Sequence, residues 1–209
     1  MSKVPSTAPL SERLIDAGMA ILLSGQPLTL RGAAARAGVS HGAPAHHFDG
    51  LAGLQTAIAI RAFRKFGQHL ERAMARPIPD EIDADRARLQ NLGHAYIEFA
   101  REHFRLFYLM FVQPDVDRTN PDLVAAMDFA YQSLCKATEP YSRYHDPALI
   151  QTLFWTVAHG YVMLGLSDRV NGLPPPYGAP SMDEMMQKIG MLDALARPPK
   201  GGPPPSGTD

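Results

Sequence analysis

Three neighbouring histidines, His41, His46 and His47, are the first residues in the chain whose type could do chemistry. An imidazole can ligate a metal, move a proton or donate to a phosphate. Metal ligation fits the spacing poorly. His41 and His46 are five apart, whereas residues on one helix face are three or four apart. Asp49 is the one carboxylate nearby. A solvated or phosphate-facing cluster is the expectation, with no metal. Cys135 is the single cysteine, so no internal disulfide and no cysteine-rich zinc site can form. Even beside Lys136 it reads as a small buried hydrophobe rather than a redox sensor. Trp155 and His159 are four apart and allow two readings. One is a ligand pocket with an aromatic wall and a polar tip. The other, favoured by the small residues Gly160 and Gly165, is a buried tryptophan tightly packed beside a satisfied histidine. Tyr96, Phe99, Phe104, Phe107, Met110, Phe111, Met127, Tyr131 and Met163 read, on the residues alone, as simple core. No Ser/His/Asp set, phosphate loop or carboxylate pair stands out, so neither catalysis nor a cofactor is expected.

The elements that must position these residues read as helices. Leu14, Ile15, Ala17, Gly18, Ile21 and Leu22 recur at three and four residues. Ser11 is the expected N-cap of that helix, and Gly25 with Pro27 its stop. A short helix over 30–37 follows, with Thr29 as cap and Gly38 past its end. Ser40 would cap a third over 41–48, with Val39 plugging the core beneath the turn, and Asp49-Gly50 turns the chain. A long helix over 51–74 has Leu54, Ile58, Phe63, Phe66 and Leu70 as its core face. Beyond the proline break at 76–80, helices are expected over 82–103, with Leu89, Leu92, Tyr96 and Phe99 inward, and over 103–112. Another runs over 121–144, which Pro140 should end or kink early, and another over 148–170. The last spans 182–196 behind Ser181, and a Pro/Gly-rich tail over 198–209 is expected to be disordered. The fold class is therefore all-α, with about nine helices.

Charge divides the chain. The whole carries 20 Lys/Arg and 21 Asp/Glu, a net charge of −1, which argues against a surface built throughout for nucleic acid. Residues 1–76 hold nine basic side chains against four acids, a surplus of five. The rest holds eleven against seventeen, a deficit of six. A small basic module on an acidic body is a pattern of nucleic-acid binders. No run of about 18 apolar residues is present, so no membrane span is expected. Met1–Leu10 has one lysine and no apolar stretch, unlike a secretory signal, and a cytoplasmic location is expected.

Residues 30–37, the turn Gly38-Val39-Ser40 and residues 41–48 have helix-turn-helix proportions. The stretch Thr29-Leu30-Arg31-Gly32-Ala33-Ala34-Ala35-Arg36-Ala37-Gly38-Val39-Ser40-His41-Gly42-Ala43-Pro44, closed by His46-His47-Phe48, resembles the DNA-binding signature of the TetR family. Trp155-Thr156-Val157-Ala158-His159-Gly160 is similar to the WHG-type C-terminal domain of some TetR regulators, as are 95–100 and the aromatic residues 106–111. The resemblance implies a helix-turn-helix domain over 1–50, a connecting helix over 51–76 and a ligand-binding and dimerisation domain over 77–197. It implies a homodimeric regulator, most simply a repressor, with double-stranded operator DNA and an unidentified small-molecule effector as partners.

On that resemblance Thr29, Arg31, Ser40 and His47 would meet phosphate, and His41, Gly42, Ala43 and His46 would approach base edges. Tyr96, Phe99, Phe107, Met110, Phe111, Tyr131, Trp155, His159 and Met163 would line the ligand cavity. The helix over 148–170 and the last helix would pair with their two-fold mates. Two departures stand out. The family often has tyrosine where this chain has Ala45, and lysine where it has Leu51, both near phosphate. They favour weakened DNA binding and motivate an alternative, a ligand-binding or protein-interaction module of the same fold. A metal-using helical enzyme is the remaining alternative.

Overall fold

The structure is a computed structural model, and it describes residues 8–80 and 83–166. Among them are seven α-helices, two 3-10 turns and no strand: α1 (Leu10–Leu23), α2 (Leu30–Ala37), a 3-10 turn at Ala43–His46, α3 (Gly50–Met74), α4 (Ala84–Glu102), α5 (Phe104–Phe111), α6 (Pro121–Thr138), a 3-10 turn at Glu139–Arg143, and α7 (Pro147–Leu166). The end of the helix expected over 148–170, the helix expected over 182–196 and the tail lie outside the described residues. The chain divides into two units, Met1–Lys65 with His103–Asp128, and Phe66–Glu102 with Phe129–Asp209.

In the first unit, α1 starts two residues earlier than its serine suggested. Pro9 is extended, its carbonyl accepts from the Arg13 N–H at 3.1 Å, and Ser11 falls inside the helix. The inward stripe of α1, including Leu14, Ile15, Ile21 and Leu22, is buried. At its end Gly25 adopts φ +78°, and the Gly25 and Gln26 amides fold back on the Leu22 and Ile21 carbonyls. The small side chains of Ala33 and Ala34 are fully buried where α2 packs on α1. Leu54 and Ile58 of α3 and Leu106, Phe107 and Met110 of α5 complete this core. The Phe111 ring meets Phe107 at 4.6 Å and Phe63 at 5.2 Å. The loop before α6 is tied to α3 by Thr56, whose buried hydroxyl donates to the Ala52 carbonyl at 2.9 Å and accepts the Asp117 N–H at 3.0 Å.

In the second unit, α4 packs on α7. The buried stripe of α7 is Ile150, Phe154, Ala158 and Val162, one residue in four, and that of α4 is the expected Leu89, Leu92, Tyr96 and Phe99. α3 and α6 approach closely at Gly67. A Cβ there would lie 2.6 Å from the Phe129 ring and 3.2 Å from the Ala130 Cα. α6 stops at Thr138, where the chain tightens into the 3-10 turn that contains Pro140, so the proline ends the helix rather than kinking it. Asp83, Asn120 and Asp146 cap α4, α6 and α7, each accepting backbone N–H bonds through its side-chain oxygen.

Candidate nucleic-acid interface and aromatic body

α2 is only eight residues long and depends on its ends. Thr29 caps it as expected, its Oγ1 accepting the Gly32 N–H at 2.9 Å. Gly38 leaves it in the left-handed region at φ +70°, and the Val39 amide reaches the Ala34 carbonyl at 3.0 Å. Val39 is half-buried beneath the turn.

The expected recognition helix over 41–48 is shorter and tighter. Residues 41–42 are a turn, and only Ala43–His46 are helical, as 3-10. Its bonds run from Ala43 to Ser40, Ala45 to Gly42 and His47 to Pro44 before the Phe48 amide takes an i−4 bond, also to Pro44. Three features cause this. Pro44 has no N–H to give Ser40, Gly42 has the poorest helix propensity after proline, and Asp49-Gly50 ends the segment within a few residues. The Ser40 side chain makes no cap; its carbonyl accepts instead.

The candidate DNA contacts lie on this one continuous segment. Thr29, Arg31, Ser40, His41, Gly42, His46 and His47 are exposed, and Ala43 is half-buried. Within the 3-10 turn Ala43–His46 only Pro44 is fully buried, and it pins the turn. Ala45 is exposed, and Leu51 is half-buried in the first turn of α3. Arg13 and Arg61 make contacts that no sequence pattern indicates, because their partners are distant in the chain. Arg13 of α1 donates to the last carbonyl of α2, Ala37, at 2.6 Å, and Arg61 of α3 pairs with Glu12 and Asp16 of α1. No group of three metal-ligating side chains exists among the described residues, so the histidines are not joined by a carboxylate cluster.

The body residues divide between the units. Phe107, Met110 and Phe111 belong to the first. Tyr96, Phe99, Tyr131, Trp155, His159 and Met163 belong to the second. There the Trp155 ring stands between Tyr131 at 6.2 Å and His159 at 6.4 Å. His159 continues to Tyr96, also at 6.4 Å, and Tyr96 to Phe66 at 5.2 Å. Phe66 in turn meets Phe99 at 4.9 Å.

Trp155 is 42% exposed, which corrects the expectation of a buried tryptophan. It lies about 100° around the helix from Phe154 and so misses the buried stripe. Gly160 is not a packing glycine either, since a Cβ there would meet nothing within 4 Å.

The polar centre is a hydrogen bond of 2.8 Å between Tyr96 Oη and His159 Nδ1. Burial pushes the Tyr96 phenol far up, and a hydrogen bond with Trp155 offsets this only in part. Burial also pushes the His159 imidazole down. The raised phenol keeps its proton, and which partner donates in the 2.8 Å bond is set by the tautomer of His159. The unfolded histidine has a pKa of about 6.5. Because the folded value is lower, the unfolded chain takes up the proton first as pH falls. The contribution is therefore present above about pH 6.5 and is lost on acidification through the folded value. Trp155 is the one tryptophan. Its fluorescence should titrate with a midpoint below about 6.5, and His159→Gln should abolish the transition. A midpoint at or above that value would contradict the half-buried neutral imidazole.

Residues 89–189 match the family model described as the tetracyclin repressor-like C-terminal domain. The Trp155–Gly160 segment lies inside that span. Comparison with curated proteins gives no match. The structure is similar to that of a Rhodococcus sp. RHA1 protein of unknown function, with TM-score 0.69 and 24% identity over 94% of this chain and 100% of that one. It is similar to the multidrug binding protein EbrR complexed with imidazole, with TM-score 0.60 and 20% identity over 92% and 97% of the two chains. It also resembles the TetR-like transcriptional regulator LfrR from Mycobacterium smegmatis in complex with proflavine, with TM-score 0.56 and 17% identity over 89% and 94%. Among the described residues no helix is long and apolar enough to cross a membrane. Over residues 89–189 the chain is thus similar to the tetracyclin repressor-like C-terminal domain, and its fold is similar to that of TetR-like transcriptional regulators.

Proposed function

We propose that the chain is a homodimeric DNA-binding transcriptional regulator, a cytoplasmic repressor released by a small hydrophobic effector, and not an enzyme. The observation that carries this reading is the exposed segment from Thr29 to His47, capped at Thr29, turned at Gly38 and pinned by the buried Pro44. Arg31 and His47 take phosphate roles in it, and His41, Gly42, Ala43 and His46 face base edges. In the dimer two such segments enter successive major grooves about 34–36 Å apart. α7 supports the dimer. It has no Lys, Arg, Asp or Glu, and Leu149 and Leu164 are exposed. The effector reading rests on the aromatic row from Tyr131 to Phe99, and EbrR with imidazole and LfrR with proflavine are similar proteins seen with small molecules. The domain limits follow this division of labour, with 1–50 for DNA, 51–76 as connecting helix and 77–197 for ligand and dimer.

Gel-shift titration against the DNA flanking the chain's own gene tests the reading. A sequence-specific, salt-sensitive shift is expected. Arg31→Ala and His47→Ala should each weaken it and flatten the salt slope, by up to about one for the arginine. Ala45 and Leu51 favour a second reading, a ligand-binding module with decayed DNA contacts. Under that reading neither substitution changes any binding.

A further inference from the structure

We propose that Arg13 is a positioning residue for the recognition turn, working with Glu12 and Asp16 as a clamp at the start of α1. Its consequence for DNA rests on the operator-binding reading above. A helix leaves its last four carbonyls without intrahelical partners. Because α2 ends at Gly38, the Ala34 and Ala35 carbonyls are served by the Val39 and Gly38 amides, at 3.0 and 3.1 Å. Ala37 is the last residue of α2, and its carbonyl receives the Arg13 guanidinium at 2.6 Å, across 24 residues of sequence. This is a charge-assisted bond placed at the negative end of the helix dipole.

The residues on either side of Arg13 reach a different helix. Glu12 and Asp16 both pair with Arg61 of α3. One turn of α1 therefore grips the exit of α2 and the body of α3, the two helices that flank the 3-10 turn Ala43–His46. Within that turn only Pro44 is fully buried. The turn's own packing is thin, and its orientation is set by the helices on either side. Arg13 thus acts on DNA recognition through backbone geometry, without touching DNA.

Two measurements test this on the full chain. In the free protein, Arg13→Ala should speed amide hydrogen exchange at residues 38–48 by about tenfold and leave α6 unchanged, with Arg13→Lys restoring most of the protection. In binding, duplexes selected from a randomised pool by the unsubstituted protein serve as the specific probe, and the unselected pool as the non-specific one. Arg13→Ala should weaken the specific complex by about tenfold while the non-specific affinity and the salt slope stay the same. A slope flattened by about one would make Arg13 itself a phosphate contact. That result, unchanged exchange at 38–48, or unchanged specific affinity would overturn the proposal. If the unsubstituted protein selects no sequence, the operator reading fails, and the exchange experiment still decides the clamp.

Discussion

Phe107→Ala is expected to cost about 3–5 kcal/mol of folding stability. Phe107 is fully buried in α5, and its ring lies 4.6 Å from Phe111, which in turn meets Phe63 of α3 at 5.2 Å. α5 has eight residues, too few to persist without its packing. Truncation removes the transfer energy of a phenyl ring and opens a cavity beside Phe111, the ring it meets at 4.6 Å. Against a total of about 5–15 kcal/mol the loss is large. Urea unfolding measures it, and a loss below about 1 kcal/mol would mean that the core collapses around the gap. The same unit carries the α2–turn–α3 segment, so DNA binding should fall with stability. Phe107→Leu, which keeps most of the volume, should fall well short of the alanine loss in both.

The largest functional change is expected from the two departures at the candidate DNA face. Ala45→Tyr and Leu51→Lys together should steepen the salt dependence of DNA binding, by about one for the lysine and less for the uncharged tyrosine. Ala45 is exposed and accepts a larger side chain without repacking. Leu51 is half-buried, and a lysine stem can cover the same apolar surface while its ammonium reaches water. The cost is a cation in the first turn of α3, against the helix dipole, of about 0.3–1 kcal/mol. Affinity measured from 50 to 200 mM salt decides the matter. A slope that does not move would show that position 51 faces no phosphate and would favour the second reading of the chain's role.

Local pattern carried much of the fold into view. The bounds of α3, Gly50–Met74, follow from a 3.6-residue period and an Asp-Gly turn, and α4 buried the four residues its period selects. Thr29 and Gly38 were legible because a cap and a left-handed turn each need a particular residue type at one place. The recognition segment was not, because three weak effects at Gly42, Pro44 and Gly50 had to be added over eight residues. Contacts distant in sequence were also hidden. Arg61 and Asp16 are 45 residues apart, Thr56 and Asp117 are 61, and Tyr96 and His159 are 63. No periodicity links them. Trp155 was misplaced because α7 is apolar on nearly every side, so its sequence does not say which side faces inward. The caps Asn120 and Asp146 carry a readable signal, an Asx residue directly before a proline.

The burial of Pro44 has an evolutionary consequence. In the span 41–47 one ring anchors the backbone, while His41, Gly42, Ala45, His46 and His47 hold no part of the core. Changes at the four other than Gly42 rewrite what the surface presents and leave folding almost untouched. On the operator-binding reading proposed above, target preference and foldability are then under separate selection in this stretch. On that reading a lineage drifts to new operators by single substitutions, with Pro44 as the position that drift must spare.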